Sequence, residues 1–204
     1  MTRDEELRLI ERVLQVDTNA FEPLVLENQQ RVYTVALRIT GNEADAWDAA
    51  QEAFLRAYRS LKDFRGESRF STWLYKLAGS AASDLLRRRR DAQLVSLQDE
   101  EESLQEIPDE RFEPETELEK KELRENVRRA LALLPADYRR ILTLRELGGL
   151  SYEELADELG LEPGTVKSRL SRARQKLCTL LTRDGNFSAP TASKKEKGGV
   201  KRGL

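Results

Sequence analysis

The chain has 204 residues, of which 39% are hydrophobic and 35% are charged, and its formal net charge is −2. This length allows one large or two small domains with modest cores. The chain contains no histidine and a single cysteine, Cys178. It therefore lacks the residues of a zinc site, of a histidine-based catalytic mechanism and of an internal disulfide. We expect a protein that is not an enzyme and that uses no metal or cofactor.

The distribution of apolar residues gives no sign of a membrane-spanning or signal segment. The longest unbroken apolar run, residues 130–134, is far too short to cross a bilayer. The charged N-terminus leads into no apolar signal region. We therefore expect a cytoplasmic protein without membrane insertion.

Residues 1–90 are predicted to form a first domain that is helical, because no alternating β-branched run is long enough for a sheet. Its last predicted helix starts near Phe70 and ends in four consecutive arginines, residues 87–90. A cationic last turn is favoured by the helix dipole, which explains part of this run. Four arginines exceed that need and favour contact with phosphates.

Aromatic and basic residues alternate in the loop and helix around residue 70. The aromatic members are Phe64, Phe70, Trp73 and Tyr75. Aromatic side chains among cations can form a stacking platform for single-stranded bases. At helical spacing, however, aromatic residues are more often part of a core. Both interpretations remain open from the sequence.

Residues 91–119 carry 12 acidic and 1 basic side chains, a net charge of −11. Low hydrophobicity with strong like charge predicts an extended, poorly ordered connector that separates two domains. Its charge could mimic nucleic acid against a basic channel, or the segment could be a soluble tether. The basic tail, residues 183–204, is predicted to be disordered.

Residues 120–182 are predicted to form a second helical domain, which ends in two short helices joined by a tight turn. Ser151 and Glu154 have the spacing of a capping box, and Gly160 suits the left-handed residue that ends the first short helix. In the second short helix, Val166, Leu170, Ala173 and Leu177 lie on one stripe. These features favour a helix-turn-helix.

Helical geometry places Ser168, Ser171, Arg172 and Gln175 on the opposite face of the second short helix. Residues 165–177 contain five basic residues and no acid. Short polar groups that face bases and long cations that reach phosphates are what a helix needs in a DNA major groove. The alternative is a solvated basic face on an ordinary helical hairpin.

The two halves together resemble bacterial sigma factors of the sigma-70 family, and specifically their short extracytoplasmic-function (ECF) group. The resemblance is carried by residues 31–38, 45–58, 64–75, 134–140, 144–147, 150–156 and 164–174. It implies an all-α fold with a sigma region 2 helical bundle and a sigma region 4 helix-turn-helix, joined by the flexible acidic linker. It implies core RNA polymerase, promoter DNA and an anti-sigma factor as partners. Region 2 would bind the β′ clamp helices and melt the −10 element, and region 4 would bind the β flap and read the −35 element as duplex.

The resemblance also assigns expected roles to individual residues. Those expected to bind core polymerase are Asp45, Asp48, Gln51, Glu52, Phe54 and Arg56. Those expected to handle the melted −10 strand are Phe64, Arg65, Ser68, Phe70, Trp73, Tyr75, Lys76, Arg87 and Arg88. Those expected at the −35 element are Lys167, Ser168, Arg169, Ser171, Arg172 and Arg174.

The chain departs from the family pattern at two places within the matching segments and in the tail beyond Arg183, which has no counterpart there. Trp47 and Ala49 stand where an acid and a larger aliphatic residue are usual. Gly79 and Ser80 replace a pair such as Arg-Asn, whose asparagine often borders the pocket for a flipped −10 base. The sequence therefore does not predict which −10 base is preferred.

Two other functions compete with a sigma factor. A DNA-binding regulator that acts without polymerase explains the helix-turn-helix but leaves residues 51–56 and 70–75 unexplained. A purely helical adaptor needs no basic recognition face.

Overall fold

In the computed structural model, the described part of the chain comprises residues 1–95 and 116–183, with side chains described for residues 1–91 and 123–183. The predicted extended linker therefore lies largely outside the described residues, as does the tail beyond Arg183. The described part contains eight α-helices and no strand, which confirms the all-α fold.

The first domain comprises helices α1 to α4. Their bounds are Arg3–Leu14 for α1, Glu22–Thr40 for α2, Glu43–Arg59 for α3 and Phe70–Val95 for α4. Two short 3₁₀ turns, Thr18–Phe21 and Leu61–Asp63, lie before α2 and after α3. The run of arginines at 87–90 is inside α4, which continues to Val95, so the predicted helix end at Arg90 is wrong.

Small residues let α2, α3 and α4 pack closely. The buried face of α3 consists almost entirely of alanine, at positions 46, 49, 50, 53 and 57. Larger buried side chains, such as Leu24 and Val32 of α2 and Leu74 of α4, fill the space beside them. The left-handed Gly41, with φ of 74°, ends α2, and the Asn42 side chain accepts the Asp45 N–H at 3.0 Å to begin α3.

The second domain comprises helices α5 to α8. Their bounds are Thr116–Ala132 for α5, Ala136–Glu146 for α6, Tyr152–Leu159 for α7 and Pro163–Arg183 for α8. Their shared core contains Ile141, Leu144, Leu155, Val166 and Leu170, all almost fully buried.

The two domains pack against each other. Helix α6 contacts both α2 and α4. The buried apolar side chains of the two domains form one continuous cluster, in which Leu144 of α6 approaches Gly79 of α4. The sequence predicted two separate domains and gave no sign of this packing.

Candidate nucleic-acid interface

The turn between α7 and α8 has the local structure that the sequence predicts. The Ser151 hydroxyl accepts the Glu154 N–H at 3.0 Å, and the Glu154 carboxylate accepts the Ser151 N–H at 2.8 Å. Gly160 ends α7 in the left-handed conformation, with φ of 61°. The capping box and the turn glycine are confirmed, and together they fix where α7 begins and ends.

The inner stripe of α8 fixes how this helix is rotated about its axis. Val166, Leu170 and Ala173 are buried against the rest of the domain, and Leu177 is half-buried. The side chains on the opposite side are therefore turned to solvent. We call the exposed residues Lys167, Ser168, Ser171 and Arg172 the outer face of α8.

Two arginines flank the outer face. Arg169 is half-buried, whereas Arg174 is exposed and pairs with Glu146 of α6 at 2.6 Å. The hydrogen bond from Arg174 to Glu146 raises the pKa of Arg174. Within the described part of the chain, Lys167 and Arg172 make no ion pair. The two cations at the centre of this surface are thus open to a partner, whereas the charge of Arg174 is balanced by Glu146.

Three aromatic rings pack together at the start of α4. The ring centroids of Phe64 and Trp73 are 5.2 Å apart, and both lie 5.8 Å from the centroid of Phe70. Phe70 is fully buried, while Phe64 and Trp73 are half-buried. We call Phe64 and Trp73 the aromatic edge, because these two rings of the cluster reach the surface.

Two expected strand contacts are therefore core residues in this conformation. Phe70 is 0% exposed and Tyr75 is 3% exposed. Neither ring offers a face on which a base could stack, because both faces are covered by protein. For these two residues the core interpretation of the aromatic pattern applies, and we exclude them from the contacts proposed below.

The polar residues expected at the melted strand differ in exposure and in whether they form ion pairs within the protein. Arg65 and Arg88 are exposed, and Ser68 is half-buried. Arg87 is exposed but lies 3.0 Å from Asp84, one helical turn earlier. Lys76 is half-buried, and its ammonium lies 3.0 Å from the Glu154 carboxylate of α7. Only part of this basic surface is available while the two domains touch.

Asp45 does not belong to an exposed docking surface. Its side chain is 4% exposed and lies 2.7 Å from Arg89 of α4. The pair ties the first turn of α3 to the last part of α4. Sequence reasoning missed Arg89 as a structural residue, because nothing in the local pattern joins positions 45 and 89.

The other residues of α3 that are expected to bind polymerase differ in exposure and in hydrogen bonding. Asp48 and Gln51 are exposed, and Phe54 is half-buried. Arg56 donates to Glu52 at 2.8 Å and to Asp84 of α4 at 3.0 Å. The hydrogen bond to Glu52 is the main reason why the pKa of Arg56 is raised. Arg56 thus joins α3 to α4 through Asp84, Glu52 orients Arg56 from within α3, and both keep only part of their polar groups for a partner.

Comparison with known proteins now identifies the family. Residues 24–92 match the family described as Sigma-70 region 2, and residues 124–177 match Sigma-70, region 4. The RNA polymerase sigma-H factor of Pseudomonas aeruginosa is 38% identical over 183 residues, covering 86% of this chain and 93% of that protein. The ECF RNA polymerase sigma-E factor of Escherichia coli K12 is 41% identical over 175 residues, covering 82% and 89%. The chain belongs to the ECF sigma factors of the sigma-70 family.

Two solved structures resemble most of the chain. A structure of CnrH in complex with the cytosolic domain of CnrY matches with a TM-score of 0.58 and 26% identity, covering 88% of this chain and 99% of that chain. The sigma factor RpoE of Bartonella quintana, in complex with the anti-sigma factor NepR, matches with a TM-score of 0.61 and 25% identity, covering 80% and 98%.

Sigma factors are transcription initiation factors. The two domains of this protein correspond to the family's region 2 and region 4. Helices α2 to α4 form region 2, which carries the aromatic edge and the exposed part of α3. The outer face of α8 belongs to region 4. Among the described residues, no helix has the length and apolar character needed to cross a membrane.

Proposed function

We propose that this ECF sigma factor binds core RNA polymerase and directs it to promoters through two DNA contacts. Region 4 reads the −35 element as duplex, and region 2 holds the melted −10 element as single strand. The observation that carries the proposal is the outer face of α8, where two cations and two serines project from a helix fixed by its buried inner stripe. These activities are expected in the cytoplasm, where polymerase and DNA are found.

The outer face of α8 has the composition of a major-groove reader. Ser168 and Ser171 are short enough for close approach to base edges, and Arg172 is long enough for a bidentate contact with guanine. Such a contact is worth about 1–3 kcal/mol of discrimination between bases. Lys167 shares this face, and Arg169 and Arg174 on its flanks are suited to phosphates, which position the helix without reading sequence.

Region 2 offers a different chemistry, suited to a single strand. The aromatic edge supplies ring surface for an unstacked base, and each stacked base is worth roughly 1–3 kcal/mol. Arg65 and Ser68 in the neighbouring loop, with Lys76 once it is freed, would hold the sugar-phosphate backbone. Arg87 and Arg88 extend the same positive surface along α4. We assign Phe70 and Tyr75 the role of supporting this surface from the core.

Polymerase docking is assigned to the exposed side of α3. Asp48 and Gln51 are exposed there and make no side-chain hydrogen bond within the described part of the chain. Phe54 adds a half-buried apolar contact, and Arg56, paired with Glu52, joins the helix to Asp84 of α4. We propose that this face binds the β′ clamp helices and that region 4 binds the β flap.

An anti-sigma protein is a further expected partner. The solved relative from Bartonella quintana is a complex with an anti-sigma factor, and that of CnrH contains the cytosolic domain of CnrY. We propose that the present protein is also held inactive by a protein of this class, which would cover polymerase-binding surface.

The second candidate is a DNA-binding regulator that does not enter the polymerase, which the helix-turn-helix alone would support. Reconstitution separates the two. Purified protein is mixed with core polymerase, and co-elution and run-off transcripts from genomic fragments are measured. A sigma factor yields both, whereas a regulator binds DNA but gives neither.

One pair of variants makes the same test specific for the docking face. Asp48→Lys reverses the charge on the exposed side of α3 and should reduce core binding by roughly tenfold or more, because unfavourable charge pairing at an interface is costly. Asp63→Lys makes the same change at another exposed position and should leave binding as in the wild type. Equal effects of both variants would contradict the assignment of α3.

A further inference from the structure

Helix α1 precedes the segment that matches region 2, which begins at residue 24, yet it contacts the loop that leads into α4. We call residues 64–69 the strand loop, because Phe64, Arg65 and Ser68, which are proposed to hold the −10 strand, lie in it. Within the described part of the chain, the backbone N–H groups of residues 65–68 donate to no backbone carbonyl. A loop without such bonds depends on neighbouring elements for its order. The contacts made by α1 therefore bear directly on the shape of the strand loop.

Two arginines join α1 and the strand loop in opposite directions. The Arg3 guanidinium of α1 donates to the Gly66 carbonyl of the loop. The Arg69 guanidinium of the loop donates to the Met1 carbonyl, just before α1, at 3.3 Å. Gly66 is left-handed, with φ of 70°, and a Cβ atom added there would lie 3.5 Å from a terminal carbon of Leu7, so an apolar side chain of α1 also packs beside the loop. The middle and the end of the loop are thus both tied to the beginning of α1.

A buried carboxylate on α1 also faces the strand loop. The side chain of Glu6 is only 6% exposed. Its place in the first turn of α1 is favoured by the helix dipole, which explains an acidic residue there but not its burial. Removing a charge from water is costly unless another charge balances it, and the Arg69 guanidinium lies 3.9 Å away. Arg69 is therefore bound to α1 rather than free for the phosphates of a DNA strand.

Helix α1 is itself held in a fixed position. Two residues of its inner side, Ile10 and Val13, are buried in the core of the first domain. The Thr2 hydroxyl accepts the Glu5 N–H at 3.3 Å, and the Glu5 carboxylate accepts the Thr2 N–H at 2.7 Å. This capping box fixes the first turn, from which the side chains that reach the loop project. The helix can thus act as a rigid scaffold for a binding loop.

We propose that α1 is a brace that holds the strand loop in the shape that receives the melted −10 strand, with Arg3, Glu6 and Arg69 as positioning residues. A loop that is ordered before binding loses less conformational freedom when the strand binds, so the affinity is higher without any further contact. The proposal rests on the proposed function for the identity of the strand, but not for the order that α1 gives the loop. The alternative is that α1 only completes the core and that its polar contacts have no effect on strand binding.

The first measurement reports the mobility of the strand loop in the free, full-length protein. A nitroxide spin label is attached to Glu67→Cys, an exposed position of the loop, after Cys178→Ser. Arg3→Ala, which removes the donor to Gly66, should increase the mobile fraction in the electron paramagnetic resonance spectrum, and Arg3→Lys should restore part of the order. Arg8→Ala is the matched control, because Arg8 is exposed on the same helix and makes no hydrogen bond or ion pair with the loop. Equal spectra of Arg3→Ala and Arg8→Ala would refute the brace.

A second variant tests the brace from the side of the loop. Arg69→Gln loses the charge that balances Glu6 and the guanidinium that bonds to Met1, so the spin label should again become more mobile. Arg65→Gln makes the same change at an exposed loop arginine that makes no ion pair with α1, and it should leave the spectrum as in the wild type. Equal mobility in these two variants would contradict the role of Arg69.

The second measurement is strand binding by core polymerase carrying this protein. The probe is a fluorescein-labelled single-stranded oligonucleotide with the non-template −10 sequence of a promoter found by run-off transcription. Arg3→Ala should weaken its binding by roughly two- to tenfold, as expected when one hydrogen bond that orders the loop is lost. Core binding and protection of the −35 duplex should stay as in Arg8→Ala. A general loss of folding would weaken all three, so a loss confined to the −10 strand identifies a positioning role.

The two measurements together separate failure of the brace from failure of the proposed function. If Arg3→Ala mobilises the loop but binds the oligonucleotide as tightly as Arg8→Ala, the brace does not serve the strand, and the proposal is refuted while the proposed function stands. If the loop becomes mobile but no form of the protein binds the oligonucleotide with core, the proposed function fails and the ordering of the loop by α1 stands.

Discussion

Asp45 at the start of α3 and Arg89 near the end of α4 form an ion pair of 2.7 Å in which the aspartate side chain is only 4% exposed. The family resemblance implies that Asp45 binds polymerase, but burial gives it a partner within the protein. A carboxylate that already pairs with Arg89 has little left to offer a second protein. The pair therefore holds region 2 together, and docking is left to more exposed neighbours.

Replacing Asp45 with asparagine should accordingly destabilise the protein without weakening polymerase binding. Loss of a charged hydrogen bond at a largely buried site costs about 1.5–3 kcal/mol of unfolding free energy. Urea unfolding of Asp45→Asn measures that cost, and Asp48→Asn, at an exposed site, should stay within about 0.5 kcal/mol of wild type. A stable Asp45→Asn protein that no longer binds core polymerase would restore Asp45 to the docking face.

The capping box of α7 gives a second stability prediction. Ser151→Ala removes the side chain that accepts the Glu154 N–H, so we expect a decrease of about 1 kcal/mol in unfolding free energy. Chemical denaturation followed by circular dichroism measures it. The same change at Ser168, which is exposed and caps no helix end, should change stability by less than about 0.5 kcal/mol. A smaller decrease at Ser151 than at Ser168 would refute the cap's contribution.

Arg172 is expected to carry much of the −35 specificity. Arg172→Ala should weaken promoter binding by holoenzyme by roughly 10- to 100-fold at a matched −35 element, as expected when a bidentate base contact is removed. Core binding should not change. Arg183→Ala removes the same charge about 16 Å further along α8 and should have a much smaller effect. Equal weakening in both variants would indicate only a non-specific attraction to phosphate.

The Glu154 carboxylate gives a pH prediction with a definite sign. Burial opposes its ionisation, but its hydrogen bond to the Ser151 backbone and the Lys76 ammonium prevail, so its pKa lies below the ordinary value. The unfolded chain then binds the proton first. The stabilisation is complete above about pH 4.3, the ordinary glutamate value, and is lost as the pH falls further through the lowered pKa.

Glu154→Gln removes this titration while keeping the cap. The difference in unfolding free energy between wild type and Glu154→Gln should therefore be largest near neutral pH and should narrow below about pH 4.3. Urea titrations near neutral pH and on both sides of that value would measure it. A difference that stays constant over this range would show that the charge of Glu154 adds nothing to stability.

Local structural features were predictable from the sequence because the residues that form them are close in the chain. The capping box of Ser151 and Glu154 and the buried stripe of Val166, Leu170 and Ala173 depend on spacings of three or four residues. Helical geometry converts those spacings directly into contacts. The same geometry placed Ser168, Ser171 and Arg172 opposite the stripe, with Lys167 beside them, and the structure leaves all four residues exposed.

Contacts between distant residues were not predictable in this way. Whether Phe70 faces solvent or the core depends on Phe21 and on the helices that surround it, and the aromatic pattern alone suits both outcomes. The packing of Leu144 on Gly79 joins helices from different domains. In the sequence, Gly79 stands out only as a departure from the family pattern. The structure shows that Leu144 packs against it.

The most direct measurement of bipartite promoter recognition is footprinting of a promoter by core polymerase with this protein. DNase I should report protection at the −35 element, and permanganate should report unpaired thymines at the −10 element, both only when protein and core are present together. Arg172→Ala should weaken the upstream protection, and alanine at Phe64 or Trp73 should reduce strand opening. Protection of duplex DNA by the protein without core, with no unpaired thymines when core is added, would contradict the account.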